Sequence, residues 1–330
     1  MTPDLRPVGI VGTGSYVPPR VLTNFDLEKM VDTSDEWIRT RTGIRERRIA
    51  DPDVATSDLA LRAAAAALQA AGVQGPDIDL ILVATVTPDM FFPCTASLLQ
   101  QALGASGACA FDILVGCTGF VYGLAVATSL VAAGSYQRAL VIGSETLSRI
   151  TDWEDRSSCV LFGDAAGAAV VGPVAPGHGI LAYSLGNDGS NADALTIPAG
   201  GSRLPPSAET VGQRLHYLTM NGAEVFKFAV RAMAESSEEA VRRAGLAMRD
   251  IDIVIPHQAN LRIIAAAAKR LKIPYERFVC NLDRYGNTSA ATIPLALDET
   301  VRAGRIQPGH HVLLASFGAG LSWGTMVMRW

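Results

Sequence analysis

The chain has few cysteines, no surplus of basic residues and no paired metal-ligand motif. Its 330 residues include five cysteines, and 28 Lys and Arg stand against 32 Asp and Glu, for a formal net charge of −4. This mild acidity argues against a general nucleic-acid binder. The cysteines are odd in number, widely spaced and without a CxxC pair, so neither a zinc site nor a disulfide framework is expected.

Long apolar runs are also missing, although 49% of the residues are hydrophobic. The apolar helix predicted over 119–133 is too short and too interrupted by Gly and Thr to span a bilayer. The first fourteen residues hold no extended apolar stretch, so no signal peptide is expected. These features predict a protein of the reducing cytoplasm with no membrane partner. The length suits two domains or one large duplicated domain.

A dinucleotide-binding fingerprint is absent as well. Residues 8–11 predict a short strand, and Gly12-Thr13-Gly14 predicts the turn after it. The third glycine of a GxGxxG motif would fall at Val17, and no strand–helix unit follows directly. The pattern therefore argues against a nicotinamide enzyme.

The stretch 111–123, FDILVGCTGFVYG, is the first candidate for chemistry. The apolar run 111–115 predicts a buried strand, Gly116 breaks it, and Cys117 opens a long Ala-rich helix. At a helix N-terminus, unpaired N–H groups and the helix dipole favour a thiolate. A lone cysteine among apolar residues is more often an inert core residue, so the rest of the chain decides between the two.

The second half of the chain repeats elements of the first. Residues 71–81 (AGVQGPDIDLI) are echoed by 244–254 (AGLAMRDIDIV), and the strand 139–143 is echoed by 312–316. A repeat of this length, with strands and helices alternating, predicts a duplicated α/β domain with mainly parallel sheets. The halves are predicted at 1–173 and 174–330.

Segment 185–220 departs from the repeat. It is rich in Gly, Pro, Ser and Asn and has few apolar anchors. Long segments of this kind in compact domains are often functional, which predicts an excursion or lid. Local disorder is the alternative.

Two further side chains complete a candidate catalytic set. His257 directly follows the predicted strand IDIVIP, and catalytic groups gather at the carboxyl ends of parallel strands. Asn287 follows the predicted strand at 278–282 and starts a helix, in the turn that matches Cys117. An N-cap role for Asn287 and a core role for His257 are the alternatives. A Cys/His/Asn set suits papain-like hydrolysis or acyl transfer with carbon–carbon bond formation, and papain-like local signatures are absent.

Six motifs together resemble those of the β-ketoacyl-acyl carrier protein synthase III family, in the thiolase superfamily. They are VDTSDEWIRTRTGIRERRIA (31–50), GCTGF (116–120), FGDAAGAAV (162–170), PHQANLRII (256–264), RYGNTSAATIPLAL (284–297) and SFGAGLSWG (316–324). The resemblance implies a thiolase-like α/β fold of two pseudo-duplicated halves in a five-layer αβαβα sandwich.

The resemblance also implies an initiating condensing enzyme of type II fatty acid synthesis. Cys117 would accept the acyl group of an acyl-CoA, most simply acetyl-CoA, with His257 and Asn287 as its partners. Malonyl-acyl carrier protein would then lose CO2 and attack the thioester to give a 3-oxoacyl product. The backbone N–H groups of Cys117 and Ala319 would form the oxyanion hole. No cofactor or metal is implied, since the CoA thioester is a substrate.

The resemblance assigns the CoA site to side chains near the arginine-rich N-terminal segment. Trp37 and Arg156 would sandwich the adenine, Arg41 would contact the phosphates, and Asn260 would contact the pantetheine. The default for the neighbouring arginines is an ordinary solvated surface. They are Arg39, Arg45, Arg47 and Arg48.

Two protein partners are implied in the same way. Lys227 and Arg262 would dock the acidic carrier protein. Phe92 matches the residue that closes the acyl pocket of the opposite subunit, so a homodimer is expected. One departure is FGAG at 317–320, where many family members have FGGG; a negative φ at Ala319 would preserve the backbone donor.

Two alternatives remain at this point. The first is a related thiolase-fold acyltransferase of polyketide, alkylquinolone or ester synthesis with another acceptor. The second is a catalytically silent partner subunit, which the presence of Cys117, His257 and Asn287 disfavours.

Overall fold

A computed structural model describes residues 5–330 of the chain. The strands are β1 Val8–Tyr16, β2 Val21–Thr23, β3 Glu46–Arg48, β4 Leu80–Ala84, β5 Cys109–Ile113, β6 Ala139–Thr146, β7 Asp164–Pro173, β8 Gly179–Asn187, β9 Leu195–Thr196, β10 Thr219–Met220, β11 Ile253–Pro256, β12 His311–Gly318 and β13 Ser322–Arg329. The helices are α1 Asn24–Leu27, α2 Asp35–Thr42, α3 Thr56–Ala71, α4 Thr95–Ala102, α5 Gly119–Ala132, α6 Ala208–Gly212, α7 Gly222–Arg243, α8 Leu261–Leu271, α9 Leu282–Tyr285 and α10 Thr292–Arg302.

The two large sheets share one strand order. The first is β1-β7-β6-β4-β5, in which β4 is parallel to β5 and β6 while β7 is antiparallel to β1 and β6. The second is β8-β13-β12-β11, with β11 parallel to β12 and β13 antiparallel to its neighbours. Apart from the edge strand β5, the second sheet repeats the first, which supports the inferred duplication. Both sheets are mixed, so the prediction of mainly parallel sheets is wrong. The exact division at 173/174 falls between β7 and β8 and stays a prediction.

Helices form three layers, one between the two sheets and one on the outer face of each sheet. Helices α5 and α10 lie between the sheets, where Leu124 and Leu297 pack against Val141 of β6 and Leu314 of β12. Helices α3 and α4 cover the outer face of the first sheet. Helices α7 and α8 cover the outer face of the second. The result is the five-layer αβαβα arrangement that the resemblance implies.

Gly12 and Gly14 lie inside β1, so the predicted turn there is wrong. A Cβ on Gly14 would lie 2.3 Å from the Ala67 backbone nitrogen, and one on Gly12 would lie 2.6 Å from the Ala71 nitrogen. Glycine in a strand often marks such a close approach of another backbone, here that of α3. Within residues 5–330, no helix combines the length and apolarity needed to cross a bilayer.

The strand before Cys117 is less buried than its composition indicates. It is β5, at the edge of the first sheet, and it ends at Ile113. Phe111 is 38% exposed and Leu114, just beyond the strand, is 74% exposed. An edge strand has a neighbour on one side only, so the prediction of a buried strand over 111–115 is wrong.

Segment 185–220 is ordered and is bonded to other parts of the chain. It contains the end of β8, the short strands β9 and β10 and helix α6. The Arg214 guanidinium pairs with Asp152 and Glu154, and the Leu218 N–H donates to the Ile150 carbonyl at 2.9 Å. Local disorder is therefore not what the structure shows, and a lid function stays a prediction.

Candidate active site

One cavity of about 880 Å³ contains the three predicted catalytic side chains. Cys117, His257 and Asn287 all line it, although the sequence separates them widely. Most of the remaining wall is apolar, and its principal side chains are Leu147, Phe162, Leu195, Leu218, Met220 and Phe317. An apolar cavity with a few convergent polar groups is the usual form of a small-molecule site.

Cys117 lies in a single 3-10 turn, Gly116–Thr118, directly before α5. Thr118 holds this turn: its Oγ1 donates to the Val115 carbonyl at 2.7 Å and lies 3.0 Å from the Ser322 hydroxyl. Burial raises the pKa of the Cys117 thiol to about 12, and its own backbone N–H opposes the rise. The thiol therefore needs a proton acceptor in order to react near neutral pH.

The turn between β12 and β13 packs closely against Cys117. A Cβ on Gly318 would lie 2.9 Å from the Cys117 backbone nitrogen, and one on Gly116 would lie 3.4 Å from the Ala319 nitrogen. Ala319 is not among the residues with a left-handed φ, so alanine is accommodated at this position without strain. The backbone amides of Cys117 and Ala319 thus lie in one small region, and their role as oxyanion donors stays a prediction.

His257 is fixed where β11 ends. Its backbone N–H donates to the Ala315 carbonyl at 2.8 Å, and its ring meets Phe317 edge-on with centroids 5.0 Å apart. The imidazole Nδ1 lies 2.7 Å from Thr292 Oγ1. Burial lowers the pKa of His257 to about 3, so the ring is neutral near pH 7. His257 therefore acts through hydrogen bonds and not as a cation.

The Thr292 hydroxyl is coupled to the tautomer of His257. It lies between Nδ1 and the Ser289 carbonyl oxygen, which is 3.0 Å away, and it has one hydrogen to donate. When Thr292 donates to Ser289, Nδ1 carries the imidazole proton and Nε2 is an acceptor. When Thr292 donates to Nδ1, the proton is on Nε2, which can then donate.

Replacing Thr292 with valine should slow condensation about tenfold, because a buried Nδ1 loses its partner and the tautomer is no longer held. The KM for acyl-CoA should not change. Initial rates of the two half-reactions, measured separately, test this. Thr300→Val is the matched control, since Thr300 is a buried residue of the same helix whose hydroxyl bonds to the Ala296 carbonyl. An equal loss in the control would contradict the assignment.

Asn287 lies in a turn between α9 and the 3-10 turn Ser289–Ala291. The strand predicted at 278–282 is wrong, since Phe278 makes only an isolated bridge to Val254. The Asn287 N–H donates to the Leu161 carbonyl at 2.8 Å, and its carbonyl accepts from Gly163 at 3.0 Å.

The Asn287 side chain combines the two roles that the sequence left open. Its Oδ1 accepts from the Ser289 N–H at 2.9 Å, a cap-like bond. Its Nδ2 donates to no group within residues 5–330. Because Asn287 lines the cavity, this amide is available to a bound substrate.

Arg47 supports the same turn, and sequence reasoning missed it. This arginine is fully buried, its Nη2 donates to the Val160 carbonyl at 2.7 Å, and its Nη1 donates to Asn24 Oδ1 at 2.9 Å. A Cβ on Gly286 would lie 3.5 Å from the Arg47 Cβ. Arginines are rarely fully buried, so nothing in the sequence separates Arg47 from its exposed neighbours.

The residues assigned to CoA form one cluster at the rim of the cavity. The guanidinium groups of Arg156 and Arg41 lie 5.1 and 5.8 Å from the centre of the Trp37 ring. Asn260 caps α8, lines the cavity and donates from Nδ2 to the Arg41 carbonyl at 3.1 Å. Their contacts with CoA stay predictions. Within residues 5–330, no group of three or more His, Cys, Asp or Glu side chains could hold a metal ion.

The residues assigned to protein partners lie on the surface. Lys227 pairs with Glu224 at 3.0 Å, and the Arg262 guanidinium lies 5.8 Å from the centre of the Phe226 ring, which lines the cavity. Phe92 is 85% exposed, whereas its neighbour Phe91 lines this chain's own cavity. These positions leave the carrier-protein and dimer roles as predictions.

Two family models match the chain. Residues 111–189 match 3-oxoacyl-[acyl-carrier-protein (ACP)] synthase III, and residues 241–330 match its C-terminal model. A curated β-ketoacyl-[acyl-carrier-protein] synthase III of Caldanaerobacter subterraneus is 59% identical over 98% of this chain and 97% of its own length. One of Symbiobacterium thermophilum is 60% identical over 99% of both chains.

Solved structures agree. The synthase III of Thermus thermophilus has a TM-score of 0.92 and 52% identity, over 98% of this chain and 99% of that one. The priming β-ketosynthase of the R1128 polyketide pathway has a TM-score of 0.92 and 37% identity, over 100% and 98% of the two chains. This chain therefore belongs to the β-ketoacyl-[acyl-carrier-protein] synthase III family.

Proposed function

We propose that this protein is the initiating condensing enzyme of type II fatty acid synthesis. It transfers an acyl group from acyl-CoA to Cys117 and condenses it with malonyl-acyl carrier protein, giving 3-oxoacyl-acyl carrier protein, CoA and CO2. The observation that carries the proposal is the single apolar cavity lined by Cys117, His257 and Asn287. Relatives 59–60% identical over nearly the whole chain, named as synthases of this type, support it.

In the first stage the Cys117 thiolate attacks the acyl carbonyl. Negative charge develops on the carbonyl oxygen, and the backbone N–H groups of Cys117 and Ala319 are the proposed donors to it. Their close packing, which Gly116 and Gly318 permit, supports this assignment. CoA leaves as its thiolate, and the acyl group remains on Sγ.

In the second stage the malonyl thioester loses CO2, and charge develops on its thioester oxygen. A neutral His257 with its proton on Nε2 and the Asn287 Nδ2 group are the proposed donors to that oxygen. Both side chains line the cavity, and the Thr292 hydroxyl can hold the required tautomer. The carbanion equivalent then attacks the acyl-Cys117 thioester, which frees the thiolate for another cycle.

The test is a product assay with purified protein, acetyl-CoA and malonyl-acyl carrier protein. The proposal expects 3-oxoacyl-acyl carrier protein and CO2 in equal amounts. If Cys117 is acylated but product forms only with an acceptor other than malonyl-acyl carrier protein, the protein is a specialised acyltransferase. The 37% identity to a priming synthase of a polyketide pathway is the observation that favours this second candidate. No acylation at all would indicate a silent subunit.

The CoA site carries its own prediction. Replacing Trp37 with alanine should raise the KM for acyl-CoA about tenfold, because aromatic stacking on a base contributes about 1–3 kcal/mol. The KM for an acyl-pantetheine substrate, which lacks adenine, should not change. Steady-state kinetics with both substrates distinguish the cases, and a parallel rise in both KM values would contradict the assignment.

We propose that the protein acts as a homodimer. Phe92, Phe91 and Leu114 are 85%, 82% and 74% exposed, and solvent-exposed apolar clusters mark interaction surfaces. Phe92→Asp should shift the sedimentation coefficient toward that of a monomer and slow acylation. Phe25→Asp is the control, since Phe25 is another exposed phenylalanine at 61%. A dimer that survives Phe92→Asp would contradict the interface.

Docking of the acidic carrier protein at Lys227 and Arg262 is part of the same proposal. The Arg262 N–H donates to Asn260 Oδ1 at 2.8 Å, so this basic residue lies beside a residue that lines the cavity. The free cysteines support the proposed cytoplasmic location.

A further inference from the structure

Two buried hydroxyls lie next to the residues that carry the proposed oxyanion donors. Thr118 and Ser322 are both fully buried, and neither side chain lines the cavity. Their Oγ atoms lie 3.0 Å apart, although 204 positions separate the two residues in the sequence. Burying a hydroxyl costs free energy unless it is hydrogen-bonded, so the contacts of this pair define its place in the structure.

Thr118 is the last residue of the 3-10 turn that carries Cys117. Its Oγ1 donates to the Val115 carbonyl at 2.7 Å, which closes a loop of backbone around Gly116 and Cys117. The Cys117 N–H, one of the two proposed oxyanion donors, lies in the middle of this loop. The Thr118 hydroxyl therefore restricts the movement of that donor.

Ser322 makes the matching contact on the other side of the pair. It begins β13, and its Oγ donates to the Ala319 carbonyl at 2.8 Å. This bond closes the turn between β12 and β13 on the residue whose N–H is the second proposed donor. The same turn is held by Leu321, which exchanges two backbone hydrogen bonds of 2.7 and 2.9 Å with Asp188.

The two turns are packed against each other. A Cβ on Gly318 would lie 2.9 Å from the Cys117 backbone nitrogen, and one on Gly116 would lie 3.3 Å from the Ala319 Cβ. Contacts this close prevent the turns from moving nearer to each other. The hydroxyl pair joins the turns against the opposite movement, because separating them would break its hydrogen bonds.

Thr118 and Ser322 act as one unit because they share their hydrogens. The two hydroxyls have one hydrogen each, and these serve three contacts: the Val115 carbonyl, the Ala319 carbonyl and the contact between the hydroxyls. When Ser322 donates to Ala319, its oxygen can still accept from Thr118. Removing either hydroxyl therefore changes the bonding of the other one and of both turns.

We propose that Thr118 and Ser322 are positioning residues that fix the distance between the backbone N–H groups of Cys117 and Ala319. Donors that are already held in place stabilise the charge on the acyl oxygen without reorganising as that charge develops. The two hydroxyls lie outside the cavity lining, so they act only through the two amides. This role rests on the proposed function, in which both amides bind the acyl oxygen.

The test compares two reactions of Cys117, each followed by intact-protein mass. Transfer from saturating acetyl-CoA develops charge on a carbonyl oxygen, whereas alkylation by iodoacetamide displaces iodide and needs no oxyanion donor. In Thr118→Val and Ser322→Ala, acylation should slow about 10- to 100-fold while alkylation keeps the wild-type rate. The double variant should be about as slow as the slower single variant, because the hydroxyls act as a unit. Thr118→Ser keeps the hydroxyl and should acylate at the wild-type rate.

A second pair of buried hydroxyls provides the matched control. Ser236 Oγ lies 2.6 Å from Thr325 Oγ1, and both residues are buried. Thr325 is on the same strand as Ser322, but its partner is on α7 and not in the turn that carries Cys117. Ser236→Ala and Thr325→Val should therefore leave the rate of acylation unchanged.

Acylation at the wild-type rate in Thr118→Val or in Ser322→Ala would overturn the proposal. An equal loss of acylation and alkylation, or an equal loss in the control variants, would also overturn it, because a purely structural role produces these results. Ser322→Ala keeps the test available if Thr118→Val fails to fold. Failure of the proposed function is distinguishable, since it appears in the wild type as the absence of any acyl adduct.

Discussion

Replacing Asn287 with alanine lowers the rate of condensation about 100- to 1000-fold while Cys117 is still acylated. The reason is that the Asn287 amide is a side-chain donor that lines the cavity and has no partner within residues 5–330, and removal of one such donor typically costs this factor. Rapid-quench measurement of the acyl adduct and of the 3-oxoacyl product separates the two half-reactions.

Asn281→Ala is the matched control for this prediction. Asn281 is another buried asparagine of the same segment, and its Nδ2 donates to Glu299 at 2.9 Å. Its loss should lower stability without a selective loss of condensation. Asn287→Asp keeps the acceptor for the Ser289 N–H and removes the donor, so it should behave as Asn287→Ala. An equal loss of acylation and condensation in the Asn287 variants would contradict the assigned role.

Alanine at Gly143 should destabilise the protein by about 3 kcal/mol or more and should also slow acylation. The added Cβ would lie 2.1 Å from the Ala290 carbonyl oxygen and 2.7 Å from its carbon. Both contacts are backbone, and β6 is buried along its whole length, so neither side yields easily. Displacement of the turn 289–291 would also move Ser289, which lines the cavity together with Cys117.

Denaturant unfolding measures the first effect, and Cys117 alkylation at pH 7 measures the second. Gly107→Ala is the control, because a Cβ there meets nothing within 4 Å and the backbone is not left-handed. The Gly143 variant should unfold at a clearly lower denaturant concentration than the control. A Gly143 variant with the wild-type midpoint would show that β6 and the turn are not in fixed contact.

The duplication could be predicted from sequence because it rests on local patterns. The sequence of residues 71–81 is similar to that of residues 244–254. These segments lead into β4 and β11, which occupy matching places in the two sheets. The position of His257 followed from the same pattern, since a strand that ends at Pro256 places the next residue at the sheet edge.

Burial in tertiary structure could not be predicted in the same way. The apolar run at 111–115 has the composition of a buried strand, yet β5 has a neighbour on only one side, so Leu114 stays exposed. Conversely, Arg47 and Glu145 belong to residue types that usually lie on the surface, yet both are fully buried. Their partners are backbone groups and uncharged side chains, most of them far away in sequence, which carry no local signal.

The segment 185–220 shows a third limit. Its composition predicts an excursion with few anchors, and what holds it is a small number of polar contacts. Arg214 pairs with Asp152 across 62 positions of sequence, and β9 pairs with β10. Contacts of this kind join residues that are far apart in the sequence, so no local sequence pattern predicts them.

The measurement that tests the central claim most directly is the intact mass of the protein after incubation with a panel of acyl-CoAs. Wild type should gain one acyl group, Cys117→Ala should gain none, and the chain lengths accepted should report the size of the cavity. An adduct of equal yield on Cys117→Ala, or no adduct on wild type with any acyl-CoA, would contradict the assignment of Cys117 as the acyl acceptor.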